Sequence, residues 1–203
     1  MKNSKNEGVL YFSYLIKERA SANNTLYEKV ISFPVAESKI INTSTRINKE
    51  RKGEYFYDGK FTTSFSGMIP DNIKILNKID RGLKDSLNQN EIFEILKTAK
   101  ILHIFEDTAL IYEALLLGCP VNIHPDGFFY KNKPLGYHEV KLYGSLSKRN
   151  ISEKDILNAR KEIQKFKKEY NKWTTNGENS LKELKDSFIT VSYTHLTLPT
   201  KWI

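Results

Sequence analysis

A chain of 203 residues with 39% hydrophobic and 28% charged side chains has the balance of a folded globular protein, which excludes disorder as its overall class. Its net charge of +8 comes from lysines interleaved with acidic and aromatic residues, as in KERKGEY, KKEYNKW and KELKD. They are not clustered on one face, so nucleic-acid binding is not expected, while anionic small molecules or an anionic membrane surface remain compatible partners. The lone cysteine, Cys119, excludes an internal disulfide, and the longest apolar run, Ala109 to Leu117, is interrupted by Glu113 and too short to cross a bilayer. With no signal-peptide core in MKNSKNEG, a soluble cytoplasmic location is expected, with peripheral contact at the inner membrane face left open.

Along the chain, Val9–Ile16 and Lys29–Val35 are apolar runs of strand length, followed by a polar stretch from Ile40 to Arg51. GEYFYDGKF, Gly53 to Phe61, reads as an aromatic strand that ends at the turn pair Asp58-Gly59, and a second short strand is expected over Ile73–Ile79. Asn90 can cap a helix whose Ile92, Phe93, Ile95, Leu96 and Ala99 fall at helical spacing. ILHIF, Ile101 to Phe105, follows as a strand, then the helix Thr108–Leu117 with Gly118 as its carboxyl cap. PVNIH, Pro120 to His124, is a short buried strand closed by the turn residues Pro125-Asp126-Gly127.

Strands and helices alternating at this pace predict an α/β fold with a parallel sheet and right-handed crossovers. Ser152 and Asp155 can open a long helix with a stripe of Ile156, Ile163, Phe166, Tyr170 and Trp173. Asn176-Gly177 is expected to end it, before a last short helix with Leu181, Leu184 and Phe188. The run VSYTHLTLPT, Val191 to Thr200, resembles a translated transposon mosaic-end sequencing adapter. It is therefore set aside as non-native sequence on a chain cut short at its carboxyl end.

Chemistry concentrates in IFEDTALIYEALLLGCPVNIHP. In open parallel sheets ligands bind beyond the carboxyl ends of strands, where helix amino termini present unpaired amides. Glu106, Asp107 and Thr108 fall at that place, and the Thr108 and Ala109 amides with the Thr108 hydroxyl could hold a diphosphate. Glu113 lies further along the helix, where a carboxylate can accept two ribose hydroxyls, or can sit on the helix's outer stripe. Asp107 can be the amino cap or a sugar contact. His124 suits a hydrogen-bonded turn histidine, and Cys119 a small packed residue without metal-ligand spacing around it.

A glutamate after a strand, a second glutamate inside the next helix, then Ala-Leu, a Gly-Cys-Pro turn and a buried strand together resemble the donor site of glycosyltransferases of the two-Rossmann-domain (GT-B) class. YFYDGK resembles the first strand of that donor domain, whose end carries a glycine and basic residues, here Gly59 and Lys60. The resemblance covers roughly Arg46 to His124. It implies that Glu113 holds the ribose, that Glu106 lies near the sugar and its diphosphate, and that a metal is not required. Spacing between the glutamates is one residue shorter than in familiar members, and their glycines are absent.

The implied organisation is an amino-terminal segment 1–39, remnant of or linker from an acceptor-binding domain. A nucleotide-sugar-binding Rossmann-like domain follows over 40–150, with carboxyl-terminal helices 151–190 and the foreign tail 191–203. The implied function is transfer of a sugar from a nucleotide diphosphate sugar, the co-substrate, to a glycan or lipid-linked acceptor held by the missing half. The catalytic base is not assigned. Two alternatives stand beside it: a non-catalytic basic binding module, and another nucleotide-sugar enzyme on the same fold, such as an epimerase.

Overall fold

The computed structural model describes residues 8–11, 17, 27–30, 36, 40, 50–81, 86–129, 133–134 and 136–196, with the side chains of residues 8–11, 27–30 and from 187 onward outside the description. The remainder of the two amino-terminal apolar runs and most of the polar stretch after Ile40 lie outside these residues. What is described of the runs is a parallel pair, β1 (Gly8–Tyr11) and β2 (Tyr27–Val30).

The main sheet is parallel throughout and has five strands: β3 (Glu54–Tyr57), β4 (Asn77–Lys78), β5 (Ile101–Glu106), β6 (Val121–Phe128) and β7 (Ser145–Leu146). Their order is β4-β3-β5-β6-β7. This is an α/β, Rossmann-like fold, as the alternating sequence pattern predicts. Among the described residues four helices flank it: α1 (Asp71–Lys74), α2 (Gln89–Thr98), α3 (Leu110–Leu116) and α4 (Glu153–Leu196). None of them, among the described residues, is long and apolar enough to cross a membrane.

Strand alternation sorts the side chains. Leu102, Ile104, Val121 and Ile123 share one face with Ile92 and Leu96 of α2, the whole inner side of α3, and Ile163, Phe166 and Tyr170 of α4. Phe56 and Phe105 face the other way, onto Phe61, Ile69 and Ile73. The two crossovers that leave β3 and β4 in opposite directions thus carry α1 and α2 on opposite faces, as a constant crossover hand requires. Ala36 and Ile40 are buried in the larger cluster, and Tyr170 Oη accepts the Ala36 N–H at 2.8 Å. These two residues, one on each side of position 39, therefore pack on one core.

Local chemistry explains the element ends. Asn88, not Asn90, caps α2: its side chain accepts the N–H groups of Asn90 and Glu91, and Glu91 accepts the Asn88 N–H in return. Asn90 could not close such a box, because Phe93 stands where the returning carboxylate must be. The strand expected over Ile73–Ile79 is a helical turn, α1, followed by the two paired residues of β4. Pro70 and Asp71 start the turn, and it carries Ile73 into the Phe105 cluster.

At the end of α3, Gly118 takes φ +82° while Cys119 donates to Ala114 O and Gly118 to Leu115 O, the paired bonds of a Schellman cap. Arg51 is buried there and closes two helix ends at once, donating to Leu96 O and Ala99 O of α2 and to Leu117 O after α3.

Two expected stops are absent. Pro125-Asp126-Gly127 does not end β6. The residues bulge outward between the Ile104–Ile123 and Glu106–Phe128 pairs, and Arg149 grips Asp126 from outside with three contacts of 2.6–3.1 Å. Asn176-Gly177 does not break α4 either. Ile156, Ala159, Ile163, Phe166, Tyr170, Trp173 and Gly177 are buried at alternating three- and four-residue steps, so Gly177 continues the stripe. The helix accepts the glycine's propensity cost of about 1 kcal/mol. Ser152 and Asp155 open α4 reciprocally, as expected. Its backbone stays helical to Leu196, past Thr190 and into the segment read as foreign.

Candidate functional site

The strand order places β3 and β5 side by side, although β4 intervenes between them in sequence. At such a switch point the connections leave in opposite directions and open a crevice beyond the carboxyl ends of the two strands. β3 delivers Tyr57, Asp58, Gly59 and Lys60 to one side of it, and β5 delivers Glu106, Asp107 and Thr108 to the other.

These residues are in contact. Glu106 Oε2 accepts the Lys60 N–H at 2.7 Å. Gly59 has φ +52°, and a Cβ placed on it would lie 1.9 Å from Glu106 Oε1, so only glycine allows the carboxylate to rest on the turn. Sequence reasoning named Gly59, Lys60 and Glu106 separately, and the structure brings them together. It is the Lys60 main-chain N–H that meets the carboxylate; the side chain is exposed. Burial raises the pKa of Glu106, and the Lys60 amide pulls it back in part.

The side walls are polar and paired. Buried Asp58 receives the Thr62 hydroxyl at 2.9 Å and lies 3.2 Å from Lys78 Nζ, which reaches Asp80 at 3.0 Å. Tyr57 stands between the two walls: burial raises its pKa, Glu106 and Asp58 add to that, and Arg81 and the Thr108 hydroxyl oppose it. At the mouth, Phe65 and Phe128 stack with centroids 3.9 Å apart, both exposed. Phe65 donates its N–H to Lys60 O, and Phe128 is the strand partner of Glu106, so the rings border the turn directly.

Thr108 lies two residues before the first residue of α3. Its carbonyl accepts Ile111 N–H, and its hydroxyl accepts Leu110 N–H at 3.3 Å. The amino cap of α3 is Ala109, with no side-chain capping bond, so Asp107 is not the cap. Neither Thr108 nor Ala109 donates its own N–H to a backbone carbonyl among the described residues.

Glu113 is not on an outer stripe. Its side chain is 5% exposed, Oε2 accepts from Arg81 Nη1 at 3.3 Å, and Oε1 accepts from Gln89 Nε2 at 3.1 Å. A ribose at this carboxylate would have to share it with both partners. Sequence reasoning missed Arg81 and Gln89, whose only signal is their place after β4 and at the start of α2; no spacing rule links them to Glu113.

His124 is buried, stacks on Phe105 at 4.5 Å and accepts the Asp126 N–H at Nδ1, so it is hydrogen-bonded as expected, but at the bulge inside β6 and not at a turn. Cys119 is buried, and burial pushes its thiol up to about 12, which makes it inert. No group of three or more His, Cys, Asp or Glu side chains suited to a metal occurs among the described residues.

Fold and crevice together define a Rossmann-like α/β domain with a polar switch point. No family model, curated protein or solved structure matches the chain.

Proposed function

We propose that this chain is the nucleotide-sugar-binding half of a two-domain glycosyltransferase, and that the donor lies in the crevice between the ends of β3 and β5. The observation that carries the reading is the Glu106 carboxylate seated on the Gly59–Lys60 turn at the switch point, where this class of sheet receives its ligands. A carboxylate beside the sugar can accept sugar hydroxyls, and burial raises the pKa of this one. The Thr108 and Ala109 amides, which donate to no backbone carbonyl among the described residues, follow the same strand end and are the groups proposed for the phosphates.

The alternative of a basic binding module gains little from α4, where Lys165 and Lys172 are paired with Glu162 and Glu169 three residues earlier. Transfer needs an acceptor held at attack distance by an opposing domain, so this chain alone binds without turning over.

Calorimetric titration with uridine, guanosine, thymidine and adenosine diphosphates, and with their sugar conjugates, tests the proposal. At least one nucleotide should bind saturably, and Glu106→Gln should weaken chiefly the sugar conjugate. Absence of binding by every nucleotide, or acceptor-dependent transfer by this chain alone, would overturn it.

A further inference from the structure

Arg81 follows β4 at the same end of the sheet as the Gly59 turn. Its guanidinium belongs to a closed ring of three side chains from three separate parts of the chain. Nη1 donates to Glu113 Oε2 at 3.3 Å, Nη2 donates to Gln89 Oε1 at 2.5 Å, and Gln89 Nε2 returns to Glu113 Oε1 at 3.1 Å. Each member bonds both of the others. Glu113 is 5% exposed, whereas Arg81 is 32% exposed.

The asymmetry in exposure is informative. A buried ion pair does little for stability compared with apolar side chains of the same volume, because desolvation cancels most of the attraction. What the ring does accomplish is to hold a flexible arginine in one orientation before any ligand arrives. A guanidinium carries five N–H groups in a plane, and the ring occupies two of them. The charge of Arg81 acts on the Tyr57 phenol together with those of Glu106 and Asp58, which agrees with its place at the end of the sheet that carries the Gly59–Lys60–Glu106 turn. Of the carboxylates at this end, Asp58 and Asp80 share Lys78, Glu113 is held by Arg81 itself, and Glu106 accepts the Lys60 N–H.

We infer that Arg81 is the anion-contacting residue of the crevice, that it takes a diphosphate-class group on the free edge of its guanidinium, and that buried Glu113 and Gln89 are its positioning residues. The inference deepens the nucleotide-sugar reading and rests on it for the identity of the ligand. It gives Glu113 a role other than gripping ribose.

The test is calorimetry on the full chain with three probes, inorganic pyrophosphate, uridine diphosphate and uridine, backed by thermal melts of each variant. Arg81→Gln should weaken pyrophosphate and the diphosphate by about tenfold to a hundredfold, the usual worth of charge-assisted bonds to phosphate, and leave uridine unchanged. That variant strands a buried carboxylate, which could unfold the chain or repel the anion on its own. The double variant Arg81→Gln with Glu113→Gln removes both problems, and it should melt near the parent temperature and still bind pyrophosphate at least tenfold more weakly.

If the double variant binds pyrophosphate as tightly as the parent, Arg81 only masks Glu113 and the inference is overturned, while binding of the diphosphate by the parent keeps the nucleotide reading. Pyrophosphate binding through Arg81 with no added affinity from any nucleoside would sink the nucleotide reading and leave the anion site standing. A parent chain that binds neither pyrophosphate nor any diphosphate would refute both.

Discussion

Replacing Gly59 by alanine probes the geometry on which the candidate site depends, because two separable effects meet at that position. Alanine at φ +52° carries the left-handed penalty of about 1–2 kcal/mol, whatever surrounds it. Its Cβ would also fall 1.9 Å from Glu106 Oε1 and 2.2 Å from Cδ. The carboxylate can swing aside, being the far end of a flexible side chain, but only by giving up the Lys60 N–H it holds at 2.7 Å. A hydrogen bond to a charged group contributes about 1.5–3 kcal/mol, and partial exposure puts this one at the low end, since water replaces it.

Gly59→Ala should therefore cost about 2–4 kcal/mol in the parent and only about 1–2 kcal/mol in a Glu106→Ala background, a coupling near 1–2 kcal/mol. Urea unfolding followed by circular dichroism on the four proteins of the cycle, read at unchanged m-value, measures it. Equal cost in both backgrounds would mean that Glu106 does not rest on the turn, and the crevice as described would be wrong.

Three further outcomes are expected. Burial holds His103 neutral, with its pKa lowered from 6.5 to about 4 and its Nε2 unpartnered. Because the folded value is the lower one, its contribution is full above pH 6.5 and is lost as pH falls toward 4, by up to about 3 kcal/mol at 1.36 kcal/mol per unit. His103→Leu should lose less stability than the parent over that window, and parallel stability–pH curves would contradict the assignment.

Arg51→Leu leaves three buried carbonyls at the ends of α2 and α3 without their donor and should cost about 2–4 kcal/mol in chemical denaturation. Deleting Val191–Ile203 should leave the melting temperature unchanged, since the last buried position of the α4 stripe among described side chains is Gly177. A large drop on deletion would show that the tail packs on the domain.

Much of this architecture could be read along the chain because its determinants are local. The aromatic strand ending at Asp58-Gly59, the strand ILHIF, the glycine cap at Gly118 and the Ser152–Asp155 helix start each depend on side chains a few residues apart. So do the alternating elements that imply a parallel sheet. The misplaced ends have equally specific causes. Asn90 and Asn88 are both competent caps until the position of Glu91 selects one, and Asn176-Gly177 signals a stop only when the buried stripe that outweighs it is ignored.

The site divides in the same way. Gly59, Lys60, Glu106 and Thr108 were legible because strand ends in a parallel sheet are where backbone groups are free. That Glu106 rests on Gly59 depends on β3 and β5 being neighbours, and strand order is decided by crossovers that no short window contains. The environment of Glu113 is further out of reach. Its partners come from after β4 and from the first turn of α2, 32 and 24 residues away in sequence. Only folding brings that arginine and glutamine to a carboxylate that the helix pattern alone leaves free to face water or a ribose, because desolvating the charge demands partners that periodicity does not specify.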